Sequence, residues 1–147
     1  MKILELMKTH IIKTTADATM RDMVDMMDLY QITVLPVVDE EQRLLGVVTE
    51  NDVSSKVIPG YLKALSQGDD RPLLSRDAAL VGRLGEISAK DLMVSPATSV
   101  DENEDVRIAT ELMMKEKLTR LPVTSEGRLI GTISRIDICQ ALLEGQI

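Results

Sequence analysis

Two stretches of this chain nearly repeat each other in residue type and spacing. The first runs Thr33-Val34-Leu35-Pro36-Val37-Val38 and then Gly46-Val47-Val48-Thr49-Glu50-Asn51-Asp52. The second runs Leu118-Thr119-Arg120-Leu121-Pro122-Val123 and then Gly131-Thr132-Ile133-Ser134-Arg135-Ile136-Asp137. Pro36 and Pro122 are 86 residues apart, as are Met7 and Met93, while Asp52 and Asp137 are 85 apart. An offset that holds over half a chain marks an internal duplication, and it confines the fold to two related halves. The boundaries expected are 1–58 for the first repeat, 59–87 for a partly helical connector and 88–147 for the second.

A chain of 147 residues is long enough for these halves to bury a core. Tyr30 and Tyr61 are the only aromatic residues, so that core has to be built from Val, Ile, Leu and Met. A net charge of −7 argues against a nucleic-acid binder. Cys139 is the only cysteine, which removes an internal disulfide and points to a reducing cytoplasm. No apolar run approaches the ~18 residues of a membrane span, and Met1–Leu6 lacks the apolar region of a signal peptide.

Each repeat reads as helix, strand, helix, strand, strand, helix. Residues 2–7 and 89–93 are the opening helices, followed by strand-like pieces at 10–14 and 96–100. Helices follow over Met20–Tyr30, with a methionine stripe read as core filling, and over Asp105–Lys115. Asp101-x-x-Glu104 has the pattern of a capping box for the second of these. Val34–Val38 is a buried strand with an irregularity or an edge at Pro36. Asp39–Arg43 and Ser125–Arg128 are hairpin turns, and Gly127 can supply a positive φ. Gly46 and Gly131 stand inside strands, where glycine often marks the close approach of a ligand or another backbone. In the connector, Pro59-Gly60 is expected to break a helix that Tyr61–Leu65 resumes. The apolar residues Leu73, Leu74, Ala78–Val81 and Leu84 need cover, from the domain's flank or from another subunit.

The chemistry lies in the repeated Gly-x-x-Thr/Ser-x-x-Asp. A strand ending in a hydroxyl and opening a helix presents free N–H groups and partial positive charge, which suit a phosphate. Thr49 or Ser134 adds a hydroxyl there, and Asp52 or Asp137 is an acceptor for the vicinal hydroxyls of a ribose. The competing reading is that Ser/Thr-x-x-Asp simply caps the helix. Two copies in identical settings favour a binding role.

The paired Leu-Pro-Val strands, the Gly-x-x-Thr/Ser-x-x-Asp endings and the Leu-Met starts resemble tandem CBS domains forming a Bateman module. The resemblance covers both repeats and implies an α/β (α+β) fold of two β-α-β-β-α units, related by a pseudo-twofold axis and packed through their sheets. It implies two clefts for adenosine-containing ligands and a disk-like homodimer. It further implies that Asp52 and Asp137 hold ribose while Thr49 and Ser134 face phosphate, with Asn51 inside the first motif. Thr33, Val34, Leu35 and Pro36, their partners Thr119, Arg120, Leu121 and Pro122, and Ile12, Lys13, Thr98 and Ser99 would border the base.

Arg135 and Arg120 make cations available to a phosphate chain at the second motif, where the corresponding residues of the first are read as Glu50 and Thr33. The Asp137 site is therefore expected to be the tighter one for a charged nucleotide. His10 is the only histidine, so no zinc cluster of usual spacing exists, and neither a phosphate loop nor a nucleophile elbow appears. Acidic groups such as Asp39–Glu41 sit in turns and at helix starts, where solvation and capping account for them. The reading is a non-catalytic sensor of AMP, ADP, ATP or S-adenosylmethionine that changes the arrangement of repeats or subunits for an unknown regulated protein. Two rivals are a ligand-free dimerising scaffold and an accessory active only at a partner's interface.

Overall fold

The computed structural model describes all 147 residues. The first repeat contains α1 (Ile3–Leu6), β1 (Thr14–Thr15), α2 (Met20–Tyr30), β2 (Val34–Val38), β3 (Leu44–Thr49) and α3 (Glu50–Ser66). The connector contributes α4 (Leu73–Arg76) and α5 (Ala78–Gly85). The second repeat contains α6 (Ala89–Leu92), β4 (Val100–Asp101), α7 (Val106–Lys115), β5 (Arg120–Ser125), β6 (Arg128–Ser134) and α8 (Arg135–Leu143). The order is the one the duplication predicts. Two three-stranded sheets form, β1-β2-β3 and β4-β5-β6, giving the mixed α/β class.

The chain divides into two compact units, each of which borrows its opening segment from the other repeat. One unit comprises Met1–Lys13, the hairpin tip Val38–Leu45 and Pro96–Ile147; the other comprises Thr14–Val37 and Gly46–Ser95.

In the first unit, Ile3, Val100, Val106, Ala109, Met113, Leu121, Val123, Ile133 and Ile138 form the core. Burial of such side chains is worth about 1.5–3 kcal/mol each. The segment after α1 is fastened to β6 by two backbone bonds, Lys8 N–H to Thr132 O (2.8 Å) and Thr132 N–H to Lys8 O (2.9 Å). An isolated bridge of the same kind joins Val47 and Val94 in the second unit, with bonds of 3.1 and 2.9 Å. These two bridges explain the strand glycines. A Cβ on Gly131 would lie 2.7 Å from Lys8 O, and one on Gly46 2.6 Å from Val94 O. What comes close at both glycines is a neighbouring backbone.

Several boundaries differ from the sequence reading. The strand-like pieces shorten to Thr14–Thr15 and Val100–Asp101. β4 pairs in parallel with β5 only at Val100–Val123 and Asp101–Thr124. One residue earlier it would face Pro122, which has no N–H to give. The short β4 is also what lets a proline stand in a central strand. The N-cap of α7 is Asp105, whose carboxylate accepts from the Arg107 amide at 2.8 Å. That amide holds the Asp105 carboxyl below its usual range. Asp101 and Glu104 close the turn before the helix, with the Asp101 amide donating to Glu104 Oε2 at 2.8 Å.

Pro59-Gly60 does not break α3, which runs unbroken from Glu50 to Ser66. Proline deprives the carbonyl four residues earlier of its partner. That residue is Ser55, which is exposed, so water can take its place. Gly60 lies where a Cβ would touch Leu80 of α5 at 3.5 Å. The methionine stripe of α2 is split: Met20 and Met23 are buried, while Val24, Leu29 and Tyr30 are exposed.

The connector's apolar residues are only partly covered within their own unit, and none in α4 or α5 is buried. Leu73, Val81 and Leu84 line a recess of about 340 Å³ together with Met20, Val24 and Val57, whereas Leu74 remains 61% exposed. Asp69 ties the loop before α4 by ion pairs to Arg71 (2.8 Å) and Arg76 (2.6 Å). Its hydrogen bonds from Arg71 hold its carboxyl well below the usual carboxylate range.

Candidate functional site

Both copies of the motif sit where a strand ends and a helix begins. At the first, Thr49 Oγ1 accepts from the Asp52 amide (3.2 Å) and Asp52 Oδ2 accepts from the Thr49 amide (2.8 Å). At the second, Ser134 Oγ accepts from the Asp137 amide (3.2 Å), and Asp137 Oδ2 takes bonds from the Ser134 amide and hydroxyl, both 2.8 Å. The reciprocal capping box is therefore complete in both. The first helical amides are also used, Glu50 N–H by Thr33 O (2.8 Å) and Arg135 N–H by Thr119 O (3.0 Å). A phosphate would find those amides already engaged. Each motif also leaves its second carboxylate oxygen without a hydrogen bond.

At Asp137 that oxygen has a definite neighbour. Lys8 Nζ lies 3.9 Å from Asp137 Oδ1, with the lysine side chain 61% exposed and the aspartate side chain 9%. Arg120 stands directly across from Ser134 in the β5–β6 ladder, so the two side chains leave the same face of the sheet. Its Nη1 donates to Thr132 Oγ1 at 2.9 Å. Lys8, Arg120, Thr132, Ser134 and Asp137 thus form one polar cluster within a single unit.

The first motif has none of this. At the repeat offsets, Lys8 corresponds to Val94, Arg120 to Val34 and Thr132 to Val47. Asp52 is half-buried, and all three equivalent positions in its unit are valine. The same capping geometry is thus set in a cationic, polar environment in one unit and an apolar one in the other.

The remaining candidate residues distribute as follows. Ile12, Lys13, Thr98, Ser99, Thr119, Arg120, Leu121, Pro122, Ser134, Arg135 and Asp137 fall in the first unit. Thr33, Val34, Leu35, Pro36, Thr49, Asn51 and Asp52 fall in the second. Leu35 and Leu121 are wholly buried, backbone included. Thr98 Oγ1 donates to Glu116 Oε2 at 2.8 Å. Arg135 is largely committed elsewhere: its Nε donates to Leu118 O (2.6 Å) and its Nη2 to Met113 O (2.7 Å). It fastens the end of α7 to the start of α8. Lys8 and Thr132 were not singled out by the sequence. Their signal was the repeat offset, which sets each against a valine.

No group of three or more His, Cys, Asp or Glu side chains is placed to hold a metal ion. No helix is long and apolar enough to cross a membrane.

Comparison with known proteins places this arrangement. The CBS domain family matches residues 3–58 and again 89–144. The inosine-5'-monophosphate dehydrogenase of Methanocaldococcus jannaschii is 30% identical over 129 residues, 87% of this chain and 21% of that one. The chloroplastic CBS domain-containing protein CBSX1 of Arabidopsis thaliana is 26% identical, over 92% of this chain and 59% of its own. The chain therefore spans about a fifth of the one relative and about three fifths of the other. Among solved structures, CBSX2 in complex with AMP superposes with a TM-score of 0.74 at 21% identity, covering 99% of this chain and 98% of that one. The CBS domain pair of protein MJ0100, in complex with 5'-methylthioadenosine and S-adenosyl-L-methionine, gives 0.69 at 20%, covering 100% and 98%. At such identities the structures establish a shared fold. With the family matched over both repeats, the chain belongs to the CBS domain family and carries a tandem pair of its domains.

Proposed function

We propose that this chain is a regulatory module that binds an adenosine-containing ligand and passes its occupancy to a partner protein, with no catalysis of its own. The observation that carries the reading is Asp137. One of its oxygens is fixed by Ser134, and the other makes no hydrogen bond and faces only the exposed Lys8 ammonium at 3.9 Å, so it can accept from a ribose diol. Support comes from the fold neighbours that hold AMP in one case, and methylthioadenosine and S-adenosylmethionine in another. The cationic setting of Asp137 favours AMP, ADP or ATP there, with Ser134, Arg120 and the segment at Ile12-Lys13 as ligand-facing groups. The apolar setting of Asp52 suits a less charged adenosine derivative.

Exposed apolar side chains support a homodimer. Val24, Ile58, Tyr61, Leu62 and Leu65 lie on α2 and α3, and Ile136, Leu142 and Leu143 on α8. A ligand that favours one arrangement by a few kcal/mol is enough to switch such an assembly. The alternative, a ligand-free dimerising scaffold, draws on the two capping boxes, which are complete without any ligand.

Thermal unfolding with a panel of AMP, ADP, ATP and S-adenosylmethionine separates the two. A ligand at ~100 times its dissociation constant adds about 2.7 kcal/mol, which raises Tm by several degrees. A rise with at least one of them is expected. No rise with any leaves the scaffold as the reading.

A further inference from the structure

We propose that Lys8 is the residue that makes the Asp137 site select a phosphorylated ligand over the bare nucleoside. This rests on the reading of that site as an adenosine site. Asp137 Oδ2 is saturated by the Ser134 amide and hydroxyl, so Oδ1 is the one oxygen a ribose hydroxyl can use. That oxygen faces the Lys8 ammonium at 3.9 Å. A ligand hydroxyl arriving at Oδ1 therefore competes with a lysine already there.

The construction of the site decides who wins. The Lys8 backbone is held on both sides of its Cα, through its N–H and its C=O, by bonds to Thr132, so the root of the side chain is fixed. The side chain beyond it is 61% exposed, and its four-carbon stem lets the ammonium swing without disturbing the bridge. An uncharged nucleoside that takes Oδ1 leaves the ammonium without a partner. A phosphate on the same ligand offers one, and the exchange becomes carboxylate for phosphate. Arg120 adds a second cation on the same sheet face. The unit that holds Asp52 has valine at both equivalent positions, Val94 and Val34, so the device belongs to one site only.

The test is calorimetric titration of AMP and of adenosine into the wild-type protein and into Lys8→Met, which keeps the stem and deletes the charge. Wild type is expected to prefer AMP. Lys8→Met is expected to weaken AMP about tenfold while adenosine binds as well or better, so the preference collapses. Lys8→Arg is expected to restore it. An equal loss for both ligands, or an unchanged preference, overturns the role of Lys8 and leaves nucleoside binding standing. Wild-type protein that binds neither ligand overturns the role of Lys8, and the panel with ADP, ATP and S-adenosylmethionine then decides the sensor reading separately.

Discussion

Gly131→Ala and Gly46→Ala are each expected to cost about 1–3 kcal/mol, the usual penalty for overfilling a packed site, and valine to cost more. In both cases the new Cβ meets a carbonyl oxygen, Lys8 O at 2.7 Å or Val94 O at 2.6 Å, with a methionine sulfur at 3.0 Å behind it. The sulfur can yield. The carbonyl cannot, because it is the acceptor in a reciprocal backbone bridge, Lys8 with Thr132 or Val94 with Val47. Relieving the clash means opening that bridge and releasing the segment that begins at α1 or α6. A Tm lower by roughly 3–10 °C is the expected readout for a chain of this size. Gly82→Ala is the control. It lies within α5 with nothing inside 4 Å of its added Cβ, and should hold or raise Tm. Gly131→Ala with an unchanged Tm would mean that the segment after α1 is not docked as described.

The second large effect is expected at Asp137, where stability and binding can be separated. Asp137→Ala leaves the Ser134 amide and hydroxyl without their buried acceptor, at a cost of about 1–3 kcal/mol. Asp137→Asn keeps an oxygen for the Ser134 amide but turns the other position from acceptor to donor. It should therefore melt close to wild type while losing nucleotide affinity by about 10–100-fold, the worth of a charge-assisted bond or two. Asp52→Ala, at a half-buried site where valine stands in place of Lys8, Arg120 and Thr132, should cost less stability and leave AMP binding largely in place. If Asp52→Ala abolished AMP binding and Asp137→Asn did not, the assignment of the charged ligand to the Asp137 site would be wrong.

The architecture was legible because it is written twice. The offset between Pro36 and Pro122 exposes the duplication, and helical spacing marks out Met20–Tyr30, the span α2 occupies. The two motif aspartates were legible as well, in both of their candidate roles. Harder to read was anything that depends on which segment meets which. The transfer of Met1–Lys13 to the unit holding the second repeat rests on backbone bonds and on Ile3 entering the core beside Val100 and Val106, and an apolar residue in a sequence does not say which repeat it will join. Arg135 looked like a phosphate ligand because charge is visible in a sequence and a carbonyl acceptor is not; its partners are the Met113 and Leu118 oxygens. Pro59 looked like a helix end because propensity says so, but it sits on the exposed side of α3, where a lost bond is cheap. Lys8 showed only as a break in the repeat, opposite Val94, until the chain brought it to Asp137.

The most direct measurement is calorimetric titration of AMP into the purified protein at low and at higher salt. Saturable binding that weakens as salt rises is the expected result, since a phosphate held by Lys8 and Arg120 is screened by ions. No saturable heat with AMP, ADP or ATP at either salt, or AMP binding indifferent to salt and to Asp137→Asn, would contradict the account.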